Sequence, residues 1–399
     1  MSLMDISEVS NKHHRDPSGK LRVTIISAEY PPFVQGGLGV HYRELVEELK
    51  PLCAVTVVAA RTSRHNPGCE RDGGLTVYRV KIPRLFPLNH IVFNLKAWWL
   101  NRSLGADVVH LCAPFGLLCL VFKKSPTVVK IHSLYKAQGG RFLYRHIVFP
   151  TAALMDRFMI NRADLVMTTS EFMKKSIISG YEHARVVSIN NGLNHAWLEA
   201  AGEKGRVRAG IGVPAPKYVI LNVGRYVPRK GTLELLRAFR QVHRRHPQAQ
   251  LVLIGSGFSE AISYEKQLRK FVAANSLAEA VMMLDWMPAE QVKKYYDAAD
   301  LYVHAASYEP FGNVIVEAMA SGLPVIAVKG GGPEEVAAGS AVILKSNNPD
   351  GLAAAINEFI VNPARVEEYA GLSRKRASTF SWKQAAAETL AGYKSILAS

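Results

Sequence analysis

Cysteine is scarce in this chain. Its 399 residues hold four, Cys53, Cys69, Cys112 and Cys119, without paired spacing. That points away from a disulfide framework. Cys53, Cys112 and Cys119 stand in apolar surroundings and read as buried free thiols, in a reducing, cytoplasmic setting. Long apolar runs are missing as well: the best, residues 116–122, is far too short to cross a bilayer. The first twenty residues are polar and charged, so no secretory signal is expected there. Acids are outnumbered, 33 against 49 Lys+Arg, for a formal charge of +16. The excess is scattered over both halves, and no finger, RNP or basic-helix motif accompanies it. A solvated surface with a few phosphate-directed groups is favoured over a nucleic-acid binder.

What is present is length and alternation. Apolar residues make up 48% and charged residues 21%, so disorder is not indicated, and 399 residues suit two domains with separate cores. Apolar, β-branched runs at 21–28, 54–59, 75–80, 107–112, 127–131, 164–168 and 185–189 read as buried strands. Helical stretches at 92–104, 142–161 and 171–179 alternate with several of them, the pattern of a doubly wound parallel sheet. A second series starts with a strand at 218–223. The expected division is a flexible segment at 1–20, a first domain at 21–200, a linker at 201–217 and a second domain at 218–380. A helix at 382–397, within a last segment 381–399, is expected to return and brace the first domain. Loops at 61–74, 84–90 and 132–141 exceed what a compact fold needs, and long loops at strand ends carry function. They bring Arg84, Phe86, Lys136, Arg141, Phe142, Tyr144 and Arg145, basic and aromatic groups that suit a phosphorylated acceptor or an anionic lipid surface. Trp98 and Trp99 either join them or pack in the core.

Strand-to-helix junctions hold the candidate site. Gly36, Gly37 and Gly39 precede a helix, as a phosphate cradle would require; a tight turn without ligand is the other reading. Arg225 and Lys230 flank a second junction, either as a diphosphate clamp or as a solvated basic turn. Gly255-Ser256-Gly257 lacks the third glycine of a dinucleotide fingerprint, so NAD is disfavoured. His132 directly follows a strand and either reaches a cleft or stays in a solvated loop. The densest stretch is 308–327, YEPFGNVIVEAMASGLPVIA. Glu309 falls in the loop leaving a strand, where open α/β sheets bind ligands. Glu317 falls about a turn and a half into a helix opening at Gly312 or Asn313. Carboxylates beside a helix amino terminus suit an anionic ligand that also carries hydroxyls.

Taken together, Gly36-Gly37-Leu38-Gly39, Asn191-Gly192-Leu193-Asn194, Gly224-Arg225 with Lys230-Gly231, and Glu309 with Glu317 and Ser321-Gly322-Leu323-Pro324-Val325 resemble the family 4 retaining glycosyltransferases. The resemblance spans most of the chain and implies the GT-B architecture of two Rossmann-like domains facing across a cleft. It implies transfer of a hexose-type sugar from a UDP- or GDP-sugar to a hydroxyl acceptor, with retention and without a metal or other cofactor. On that basis Arg225 and Lys230 would hold the donor diphosphate, approached by Gly37 and Gly39. Glu317 would bind the ribose hydroxyls, and Glu309 the sugar on its attacked face. Backbone N–H groups of Phe311, Gly312 and Asn313, with Val314, Gly255 and Gly257 nearby, would complete the donor site. His132 would lie against the sugar, and Met287 beside the nucleobase. Asn194 stands where the family often has Asp, which would loosen an interdomain contact. A GT-B isomerase or phosphorylase shares the fold. Peripheral attachment to an anionic membrane fits the basic and aromatic loops of the first domain.

Overall fold

A computed structural model of the chain describes residues 19–32, 37–61, 68–83, 85, 87–134, 149–181, 185–199, 203–213, 217–256 and 262–398. It divides into two units, one formed by Met1–Gly192 with Trp382–Ser399, the other by Leu193–Ser381.

The first unit contains β1 (Arg22–Ile26), α1 (Gly37–Leu49), β2 (Ala54–Arg61), β3 (Cys69–Asp72), β4 (Leu75–Lys81), α2 (Leu88–Leu104), β5 (Val108–Cys112) and α3 (Leu117–Val121). It continues through β6 (Thr127–Ile131), α4 (Phe149–Arg162), β7 (Leu165–Thr168), α5 (Glu171–Ile178) and β8 (Val186–Ser188). The strand order is β3-β4-β2-β1-β5-β6-β7-β8. All neighbours are parallel except β3, which pairs antiparallel with β4 inside a stretch that the sequence presents as loop. Alternation sorts side chains to two faces: Val55, Val57 and Ala59 of β2 join one core cluster, Val58 and Ala60 the other.

The second unit contains α6 (Lys204–Gly210), β9 (Tyr218–Val223), α7 (Thr232–Arg245), β10 (Ala249–Ile254), α8 (Ile262–Ala274), β11 (Val281–Leu284), α9 (Ala289–Ala298) and β12 (Leu301–His304). It ends with α10 (Asn313–Ala320), β13 (Val325–Val328), α11 (Gly332–Ala337), β14 (Val342–Leu344), α12 (Pro349–Val361) and α13 (Pro363–Ala377). Its parallel sheet runs β11-β10-β9-β12-β13-β14. β10 is buried on every residue, with Leu251 and Leu253 on one face and Val252 and Ile254 on the other. That explains its apolar run from Leu251 to Ile254.

The chain passes from the first unit to the second at Gly192, ahead of the linker expected at 201–217. The described part of that segment is structured. α6 presents Arg208, whose guanidinium bonds the carbonyls of Ala298 and Lys217 and pairs with Asp300 at 2.5 Å, while Val213 joins the core. A composition rich in Gly, Pro and charge hid these long-range bonds. The last helix, α14 (Trp382–Leu397), belongs to the first unit. It packs on α1, adds Trp382, Tyr393 and Ile396 to the core, and bonds His110 Nδ1 through the Tyr393 hydroxyl at 2.7 Å.

Candidate active site

Glu309 is positioned by backbone before its side chain enters. It stands in the loop after β12 and bridges Gly331: its N–H donates to the Gly330 carbonyl at 3.0 Å, and its own carbonyl accepts from Gly332 N–H at 2.8 Å. These bonds require the two loops to lie flush. A Cβ on Gly332 would meet Phe311 Cα at 2.6 Å, so glycine is needed there for close approach.

The Glu309 side chain then meets Lys230, whose Nζ donates to Oε2. Only 13% of the carboxylate side chain and 15% of the lysine side chain remain exposed. His304 Nε2 stands 3.4 Å from the same oxygen, and half-buried Arg229 donates to the Tyr308 carbonyl at 3.3 Å. Burial would raise the Glu309 carboxyl, but Lys230 and then His304 hold it well below the usual carboxylate range. Burial likewise pulls the Lys230 ammonium down, opposed by Glu309. We read the pair as ionic at neutral pH. Burial keeps the His304 imidazole low, against the pull of Glu309.

Glu317 is treated differently by its surroundings. It lies in α10, beyond Gly312, with the Tyr296 hydroxyl donating to Oε2 at 3.2 Å. Burial pushes its carboxyl up to about 7, with the tyrosine hydrogen bond opposing. Two carboxylates at one end of one sheet thus differ in readiness to ionise, one held by a cation and one poised near neutrality. The Phe311 ring is buried and meets Phe380 edge-on at 5.9 Å. Val314 offers its carbonyl to the Tyr296 hydroxyl at 3.2 Å, and Met287 packs partly buried against the same core.

The structure therefore brings Lys230, Glu309 and Glu317 to the carboxyl end of the second sheet, with Phe311, Gly312, Asn313 and Val314. Lys230 is not the mobile charge of a solvated turn: a 3₁₀ turn, Pro228–Lys230, and the carboxylate fix it. Arg225, on the same loop, is exposed. Gly255 is explained by packing. Its Cβ would fall 1.9 Å from the Gly224 carbonyl oxygen, so the crossing of two loops already demands glycine. Gly255→Ala is expected to cost ~1–3 kcal/mol as overpacking, measured by urea unfolding. Unchanged stability with weakened nucleotide binding would assign the residue to the ligand instead. Gly257 and Gly36 lie outside the described residues, as do Arg84, Phe86, Lys136, Arg141, Phe142, Tyr144 and Arg145.

His132 belongs to the first unit, directly after β6. Its ring meets His41 edge-on at 4.6 Å and Tyr42 at 5.7 Å, which sets aside a solvated loop position. Burial, then Lys130, hold its imidazole well below the usual range, so it is neutral. Beneath it Lys130 is 1% exposed, and burial brings its ammonium down to about 7. Gly37 and Gly39 form the first turn of α1, which opens earlier than the glycine run suggests. Trp98 lies 5.2 Å from the ring of Phe122, and Trp99 is 45% exposed. Asn194 caps a single turn, its Oδ1 accepting from Ala196 N–H at 2.9 Å.

Sequence reading missed His304, Arg229, Tyr296, His41 and Lys130. The available signal was polarity inside buried strands: His304 and Lys130 interrupt otherwise apolar runs near the carboxyl ends of β12 and β6.

Two family models cover most of the chain: Glycosyltransferase Family 4 over residues 35–197 and Glycosyl transferases group 1 over residues 203–376. The chain is 31% identical over 400 residues to alpha-maltose-1-phosphate synthase of Mycobacterium tuberculosis, spanning 95% of this chain and 100% of that protein. Its fold is similar to that of sucrose-phosphate synthase from Thermosynechococcus elongatus, with a TM-score of 0.82 at 22% identity over 95% of this chain and 100% of the other. HepE of Anabaena, solved with UDP-glucose, gives a TM-score of 0.74 at 21% identity over 93% and 100%. The chain belongs to the family 4 glycosyltransferases, with the GT-B fold.

Proposed function

We propose that this glycosyltransferase moves a hexose from a uridine or guanosine diphosphate sugar to a hydroxyl acceptor, with retention and without a metal. The observation that carries the reading is the buried Lys230–Glu309 pair, beside the start of α10 and one helical stretch from Glu317. An ammonium has three donors, so Lys230 can hold Glu309 and still donate to a phosphate. Arg225 would supply a second cation from the same loop. Cleavage of the glycosyl–phosphate bond leaves negative charge on the departing diphosphate, and fixed cations with the α10 N–H groups offset it. In a retaining front-face reaction the acceptor oxygen bonds C1 as the C1–phosphate oxygen bond breaks, and the acceptor proton passes to the leaving phosphate. Glu309 then binds sugar hydroxyls and opposes the positive charge growing at C1, without forming a covalent intermediate. The UDP-glucose complex of HepE is a precedent on this fold for the donor class. The similarity to a synthase of a sugar phosphate supports a small, phosphorylated product or acceptor.

A thermal-shift panel of nucleoside diphosphates and their hexose conjugates, run with and without chelator, tests the donor. UDP or GDP at 100-fold its dissociation constant is expected to stabilise by ~2.7 kcal/mol, chelator making no difference. Product analysis with and without acceptor separates transfer from isomerisation or phosphorolysis.

Glu317 makes a pH prediction. With its carboxyl at about 7 in the free protein, ribose hydroxyls donate best to the ionised form. Nucleotide affinity is expected to rise about tenfold from pH 6 to pH 8, and Glu317→Gln to flatten that rise. Titration calorimetry reads both; a pH-independent wild type would remove Glu317 from the ribose.

A further inference from the structure

α2 is apolar on two opposite sides. Phe93, Ala97 and Leu100 are buried in the core of the first unit. On the other side Leu88, Ile91, Leu95 and Trp99 are 45%, 52%, 48% and 45% exposed. At 3.6 residues per turn these four fall in one stripe about 80° wide. Water-facing helices normally give that side to charge, as α7 does with exposed Arg237, Arg244 and Arg245. Phe122, at the end of α3, is 53% exposed, and its ring lies 5.2 Å from that of Trp98 in α2.

Charge around the stripe is one-sided. Of the described lysines and arginines between Asp72 and Asp156, Arg79 and Lys130 are buried, and Lys81, Lys96, Arg102, Lys123 and Lys124 remain, with a single acid, Asp107, which Arg22 holds at 2.6 Å. Arg102 lies 5.3 Å over the Trp98 ring, Lys96 bonds the Lys81 carbonyl at 2.9 Å, and Lys123 and Lys124 are exposed next to Phe122. Among the described residues the acid that meets this group is Asp164, on Lys123 at 2.6 Å.

We propose that this face of α2, with Phe122, docks on an anionic lipid bilayer. The apolar side chains enter the headgroup boundary while the arginine and lysines meet lipid phosphates. A second copy of the chain is the poorer occupant, because a twofold interface sets the stripe against its own image and brings like charges together. The proposal is independent of the donor site.

Flotation of the full chain with vesicles tests it. Adding phosphatidylglycerol to phosphatidylcholine vesicles is expected to raise the bound fraction about tenfold at low salt, and raising the salt to lower it. Leu95→Glu with Trp99→Glu is expected to abolish the gain while the melting midpoint and the nucleotide response stay those of the wild type. Lys123→Ala with Lys124→Ala, which leaves the stripe intact, is expected to reduce binding to the anionic vesicles only. Absence of binding to phosphatidylglycerol vesicles at low salt, or equal binding by both variants, overturns the proposal. So does light scattering that finds a dimer which the Leu95 and Trp99 changes dissociate.

Discussion

Glu309→Gln is expected to remove transfer while leaving nucleotide binding in place. The amide keeps the shape of the side chain and can still meet Lys230, so the loop held by Gly330 and Gly332 should persist. What disappears is a full negative charge beside the carbon where positive charge grows. Loss of one such electrostatic partner typically costs ~2.7–4 kcal/mol of barrier, or about 10²–10³ in kcat. Nucleoside diphosphate affinity should stay level or improve, because Lys230 no longer shares its charge with a carboxylate. Initial rates at saturating donor, paired with calorimetric titration of the diphosphate, read the two effects separately. A kcat within about threefold of wild type would leave Glu309 outside the reaction.

Lys230→Met should damage binding and stability together. Methionine fills the aliphatic stem but removes the ammonium, so both the donor phosphate and Glu309 lose their cation. Breaking one side of a buried ion pair typically costs ~3–5 kcal/mol, and kcat/KM should fall about 10²–10³-fold. The pH dependence identifies the cause. In the wild type Glu309 is depressed, so its contribution is present above the ordinary carboxylate value of about 4.3. It is lost as pH falls through the lower folded value. In the variant burial pushes the carboxyl up instead. The deficit relative to wild type should therefore be largest above about pH 5 and shrink toward acid. Urea unfolding across pH 3–8 measures it; a deficit unchanged with pH would mean lost packing rather than a stranded charge.

Much of this arrangement is legible in the residues. Buried parallel strands announce themselves because both faces are covered, as in β10 and β5, and the 308–327 stretch places Glu309 and Glu317 through strand, loop and helix punctuation alone. Partners brought from far along the chain are not legible. Lys230 reads as one half of a clamp with Arg225, whereas 79 residues of separation hide its bond to Glu309. Tyr296 reads as a core aromatic until its hydroxyl is found on Glu317. The short β3 and β14 escape because three or four residues on a sheet edge carry little pattern.

The place of α14 has a consequence for biosynthesis. The segment from Leu193 to Ser381 has every strand of its sheet at hand while translation is still under way. The earlier segment must wait for Trp382, Tyr393 and Ile396 to fill its own interior. Nascent chains generally settle from their leading end; here the order of completion is reversed, and a chain cut short near residue 380 keeps a complete rear half behind an unsealed front.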